Sequence, residues 1–74
     1  MTPGHIGLVG YGEVGKIFCG GLKGLPGVTS VGAWDLKFAE PATRETALAH
    51  AAEHGIAAHG FLRELCEAND LIIS

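Results

Sequence analysis

Cysteine is scarce in this chain. Its 74 residues include only Cys19 and Cys66, too few for a disulfide framework, and the two fall on separate predicted helices. Positive charge is scarce too: five Lys and Arg stand against eight Asp and Glu, a formal net charge of −3. That balance argues against nucleic acid or an anionic membrane as partner. No apolar run approaches the roughly 20 residues of a membrane-spanning helix. The opening Met1-Thr2-Pro3-Gly4-His5 lacks the basic start and apolar stretch of a secretory signal. A soluble, cytoplasmic protein with both thiols reduced is the expectation.

Glycine and apolar residues are plentiful, at 12 glycines and 47% hydrophobic residues, with a mean hydropathy of +0.29. Disordered chains have the opposite balance, so a packed core is expected. Yet a chain of this size buries only about 60% of its unfolded surface. The apolar content therefore suits a piece whose remaining surface is covered by more protein. The expectation is the first part of a larger domain, cut short.

Four apolar runs alternate with three helical patterns. His5-Ile6-Gly7-Leu8-Val9-Gly10 is apolar on both faces and ends in glycine, which reads as a buried parallel strand. Val14, Ile17, Phe18, Leu22 and Leu25 then recur at helical spacing, as one apolar face of an α-helix. Pro26-Gly27 ends that helix. Val28 to Asp35 reads as a second strand with Val31, Ala33 and Asp35 on one side of the pleat. Pro41 suits the first turn of a second helix. Ala47, Leu48, Ala51 and Ala52 form its buried stripe, and Gly55 stops it. Ile56-Ala57-Ala58 is a short third strand. A third helix carries Phe61, Leu62, Leu65 and Cys66 and closes at Asn69, and Asp70 to Ser74 is a fourth buried strand. The order β-α-β-α-β-α-β predicts a Rossmann-type α/β fold, a parallel sheet with right-handed crossovers and strand order 3-2-1-4.

One motif carries chemistry. Gly10-Tyr11-Gly12-Glu13-Val14-Gly15 matches G-x-G-x-x-G, follows a strand, opens a helix and lies within a βαβ unit, and Asp35 ends the second strand. In that setting Gly10 permits the turn out of the strand. Gly12 lets the backbone approach a pyrophosphate, and Gly15 lets the helix sit against the first strand. The N–H groups near Glu13 and Val14 then face the phosphate oxygens. The Glu13 carboxylate would repel those oxygens, so its side chain is expected to point outward. Asp35 is positioned to accept hydrogen bonds from the ribose hydroxyls, which favours NAD. Lys37, two residues on, is the feature that favours the 2′-phosphate of NADP. Leu36 reads either as a contact for adenine or as an ordinary core leucine. The candidate cofactor residues are therefore Gly10, Tyr11, Gly12, Glu13, Val14, Gly15, Asp35 and Leu36.

Other residues have plainer readings. His50 and His54 are one helical turn apart but lack a third ligand and the H-E-x-x-H pattern, so a solvated helix face is expected rather than a metal site. Cys19 and Cys66 read as packing residues, and Trp34 as core.

At Gly7-Leu8-Val9-Gly10-Tyr11-Gly12-Glu13-Val14-Gly15 the fingerprint lengthens to G-x-x-G-x-G-x-x-G. This form resembles the β-hydroxyacid dehydrogenases, which include the 3-hydroxyisobutyrate and 6-phosphogluconate dehydrogenases. The run Phe61 to Cys66 followed by Asn69 to Ser74 is similar to that family's approach to its fourth strand. The resemblance implies an enzyme that oxidises a β-hydroxy acid by hydride transfer to NAD or NADP, and possession of a homo-oligomer-forming helical domain outside these residues. Val14 stands where the family usually has Met. The family's catalytic lysine has no counterpart here, and no residue is assigned as general acid or base. Two other classes use similar turns: a non-enzymatic module that binds or senses a dinucleotide, and an S-adenosylmethionine site.

Overall fold

The structure, a computed structural model, describes residues 4–74; Met1 to Pro3, read above for a leader, lie outside the described residues. Strand β1 (His5–Val9) leads into helix α1 (Glu13–Lys23), strand β2 (Ser30–Trp34) and a short 3-10 turn (Leu36–Phe38). Helix α2 (Arg44–Glu53), strand β3 (Ala57–His59), helix α3 (Leu62–Ala68) and strand β4 (Leu71–Ile73) complete it. The strands form one parallel sheet in the order β3-β2-β1-β4. This is the expected Rossmann-like α/β arrangement. Among the described residues, no helix is long and apolar enough to cross a membrane.

Register explains how one sheet serves two helix layers. Ile6 pairs with Val31 and with Leu71, and Leu8 pairs with Ala33 and with Ile73. Because side chains alternate along a strand, these residues share one face. Leu8, Val31 and Ala33 there join Tyr11, Cys19, Phe38, Ala47, Ala51 and Ile56 in the main core. The other face carries Gly7, whose missing side chain admits α3. A Cβ there would stand 2.9 Å from Ile72 Cδ1 and 3.0 Å from Leu65 Cδ1, and Leu65 is fully buried. Asn69 closes α3 as expected, its side-chain amide donating to the Leu65 carbonyl at 2.7 Å.

Several expectations need correction. The apolar face of α1 is not its packed face: Val14 and Ile17 are 78% and 77% exposed, and Phe18 and Leu25 are exposed as well. The helix is anchored by the buried Cys19 and the half-buried Leu22. The short β4 has a partner on one side only, so Leu71 is exposed rather than buried. Ala52 and Cys66 are exposed, and Trp34 is only partly buried at the end of β2. Helix α2 begins at Arg44, so Pro41 sits in the turn before it. The second strand is shorter than read, and the third is shifted by one residue. Gly55 does stop α2, with φ +68.

Candidate functional site

In a parallel sheet, the crevice beyond the carboxyl ends of the strands opens where the strand order reverses. Here the chain moves from β1 outward through β2 to β3, then returns to place β4 on the other side of β1. The reversal lies between β1 and β4. At that point stands a cavity of about 540 Å³, lined by Leu8, Val9 and Gly10 from β1 and its turn. Gly12, Glu13, Val14, Gly15 and Phe18 line it from α1, and Ile73 and Ser74 from β4.

The glycine turn has the shape its spacing implies. Gly10 has φ +118, which L side chains seldom adopt; its N–H still continues the sheet, donating to the Trp34 carbonyl at 2.8 Å. Gly12 is the N-cap of α1 and offers no side-chain cap. A Cβ there would meet only Lys37 Nζ, at 3.9 Å, so the space before it is open. Gly15 differs: a Cβ there would stand 2.6 Å from the Gly10 carbonyl oxygen. Helix and strand cross too closely for any side chain. The first amide to bond within the helix is Lys16 N–H, to the Gly12 carbonyl at 2.9 Å. The amides of Glu13, Val14 and Gly15 precede that bond, and such first-turn N–H groups have no intrahelical acceptor.

The remaining candidates divide. Glu13 points outward, its side chain 90% exposed and 3.6 Å from Lys16 Nζ. Val14 is exposed beside the cavity. Leu36 is 60% exposed, which removes the core-leucine reading. Asp35 caps the 3-10 turn: its Oδ1 accepts from Lys37 N–H at 2.9 Å and its Oδ2 from Tyr11 N–H at 2.7 Å. Each carboxylate oxygen retains a second lone pair for a hydroxyl donor.

Tyr11 departs most from its sequence reading. Its side chain is 1% exposed and belongs to the core, with its ring 5.4 Å from that of Phe38. Its backbone amide donates to Asp35 Oδ2, so its buried side braces the turn. Burial, with a smaller effect from Cys19, pushes the phenol pKa up, so the hydroxyl stays protonated; it shares a 2.6 Å hydrogen bond with His50 Nδ1. His50 is consequently not a merely solvated helix residue; it ties α2 to the glycine turn. The signal missed in the sequence was the aromatic between two glycines, which is buried in the core. Among the described residues, no group of three or more His, Cys, Asp or Glu is placed to hold a metal ion.

Fold and site together define a Rossmann-like strand-turn-helix crevice at the sheet's switch point. No protein-family model and no curated protein matches the chain. Among solved structures it is similar to a conserved hypothetical protein from Sinorhizobium meliloti 1021, with a TM-score of 0.76 and 28% identity. The match covers 95% of this chain and 23% of that protein, so the chain spans about a quarter of that neighbour's length.

Proposed function

We propose that Gly10 to Gly15 hold the pyrophosphate of NAD or NADP against the N-terminus of α1. The observation that carries this is the open approach at Gly12, combined with first-turn residues of α1 that line a cavity at the switch point. A pyrophosphate carries the negative charge that those N–H groups and the helix dipole favour. Asp35 accepts from the ribose hydroxyls while bracing the turn, and exposed Leu36 offers an apolar surface to the adenine.

The resemblance to the β-hydroxyacid dehydrogenases extends this reading to the cofactor-binding segment of an oxidoreductase acting on a small β-hydroxy acid in the cytoplasm. The bound cofactor supplies the hydride acceptor; the residues here bind it, orient it and line its crevice with apolar groups. Ser74, at the end of β4, also lines the cavity.

The test is an amide-resolved NMR titration of the 74-residue chain with NAD, beside Gly12→Ala. Gly12 has φ −83 and ψ −164, which alanine adopts, and its Cβ position is clear of protein atoms. The variant should therefore fold normally yet bind about tenfold or more weakly, because the methyl group fills the phosphate's approach. Shifts should concentrate on residues 10–15 and 74. Binding unaffected by Gly12→Ala, or shifts confined to another surface, would refute the reading.

A further inference from the structure

Helix α2 carries His50 and His54 one turn apart, and the structure adds what the bare H-x-x-x-H spacing lacks, an anchor for each ring. The two imidazoles are stacked, with centroids 4.2 Å apart and planes 18° from parallel. His54 Nδ1 lies 2.9 Å from the His50 carbonyl oxygen. A carbonyl only accepts, so that nitrogen carries the hydrogen and His54 Nε2 keeps its lone pair. His50 Nδ1 shares its 2.6 Å hydrogen bond with the Tyr11 hydroxyl, a group able to donate or to accept. Among the described residues, no hydrogen bond takes up either Nε2.

Histidine ligands are held on metals in this way, with one ring nitrogen bonded to an oxygen and the other presented to the ion. Two imidazole nitrogens on one tetrahedral ion stand roughly 3.3 Å apart. A tilt of the Nε2 edges toward each other brings rings with centroids 4.2 Å apart to that spacing. Glu45 and Glu53 line the same cleft as His50, beside Thr46 and Ala49, and no Lys or Arg is among its lining residues. The local charge therefore favours a cation. The described residues place no three ligands together, so the carboxylates act by charge and water completes the coordination.

We propose that His50 and His54 together bind one divalent transition-metal ion of the kind imidazole favours, such as zinc, nickel or copper, through their two Nε2 atoms. Binding fixes the second tautomer: with Nε2 on the metal, His50 Nδ1 carries the hydrogen and donates to the Tyr11 oxygen. Tyr11 lies between Gly10 and Gly12, and its amide donates to Asp35, so one side chain ties the ion to the glycine turn. The site stands whether or not that turn binds a dinucleotide.

The experiment titrates the chain with zinc chloride at about pH 7.5, where an ordinary imidazole is neutral, following histidine ring nitrogens by NMR and heat by calorimetry. One equivalent should bind, with the Nε2 signals of His50 and His54 shifting together and the Tyr11 amide following. His54 is the exposed C-cap of α2, so His54→Asn should keep the parent's circular dichroism and yet bind zinc about tenfold or more weakly. His5→Asn and Cys66→Ser should bind as the parent does. Zinc held as tightly by His54→Asn would overturn the proposal, and so would shifts at one of the two rings only. Affinity lost instead in His5→Asn or Cys66→Ser would place the ion elsewhere and overturn it also.

Discussion

Three glycines of α1 provide a test in which the same substitution has opposite signs within a single helix. Alanine is favoured over glycine in a helix interior by roughly 0.5–1 kcal/mol. At Gly20 nothing lies within 4 Å of a new Cβ, and the same holds at Gly21. Gly20→Ala should therefore stabilise the chain by about that amount, raising the melting temperature by roughly 2–8 °C at 4–8 °C per kcal/mol. At Gly15 the new Cβ would stand 2.6 Å from the Gly10 carbonyl oxygen and 3.1 Å from its carbon. Those are backbone atoms of a residue already at φ +118, so no flexible side chain can yield. Helix and strand must separate, and overpacking of this kind costs about 1–3 kcal/mol. Set against the helix preference this spans about 0–2.5 kcal/mol, and the 2.6 Å approach to backbone atoms puts Gly15→Ala in the upper part, a loss of roughly 1–2.5 kcal/mol and a melting temperature about 4–20 °C lower. Thermal unfolding followed by far-UV circular dichroism on the two variants and the parent decides the matter. A Gly15→Ala protein as stable as its parent would refute the close crossing on which the site is built.

Two further outcomes follow from the polar groups around the turn. Asp35→Asn keeps one acceptor oxygen and removes the negative charge, so NADP should gain affinity relative to NAD; an unchanged ratio, measured by calorimetry, would remove Asp35 from cofactor selection. Burial pushes the Cys19 thiol above its ordinary 9.0, so above that pH the unfolded chain releases this proton first and stability falls as pH rises. Below pH 9.0 the contribution is fully present, and Tyr11, raised above 10.0, adds a second loss at higher pH. Urea midpoints should decline through this alkaline range and decline less steeply near the first step in Cys19→Ala; equal slopes would contradict the burial account.

The parallel order of strands was legible because each apolar run was short and alternated with a helical pattern. The glycine turn was legible because its constraint is local: a positive φ at Gly10 and a close crossing at Gly15 each demand the same residue type whatever surrounds them. The face of α1 was not. Periodicity shows that Val14, Ile17, Phe18 and Leu22 lie along one stripe, but it does not say what meets that stripe; of these only Leu22 packs against the core, beside the buried Cys19. Ala52 and Cys66 failed for the same reason, since short helices on a four-stranded sheet bury only one or two positions each. The role of His50 needed tertiary information, because its partner Tyr11 is 39 residues away.

The turn has two sides, and different residues shape each. Toward the crevice, Gly10, Gly12 and Gly15 act by what they lack, leaving backbone amides uncovered. Away from it, Tyr11 fills the core, bonds His50 through its hydroxyl and gives its amide to Asp35. The glycines alone would leave the loop with more conformational freedom than a preorganised anion site can afford, since each ordered backbone residue opposes folding by about 1–2 kcal/mol. Tyr11 supplies the missing restraint from behind, through contacts to α2 and to the end of β2. On the proposed reading, a residue between the glycines of such a motif would contribute to binding by holding the backbone still, without its side chain having to touch the ligand.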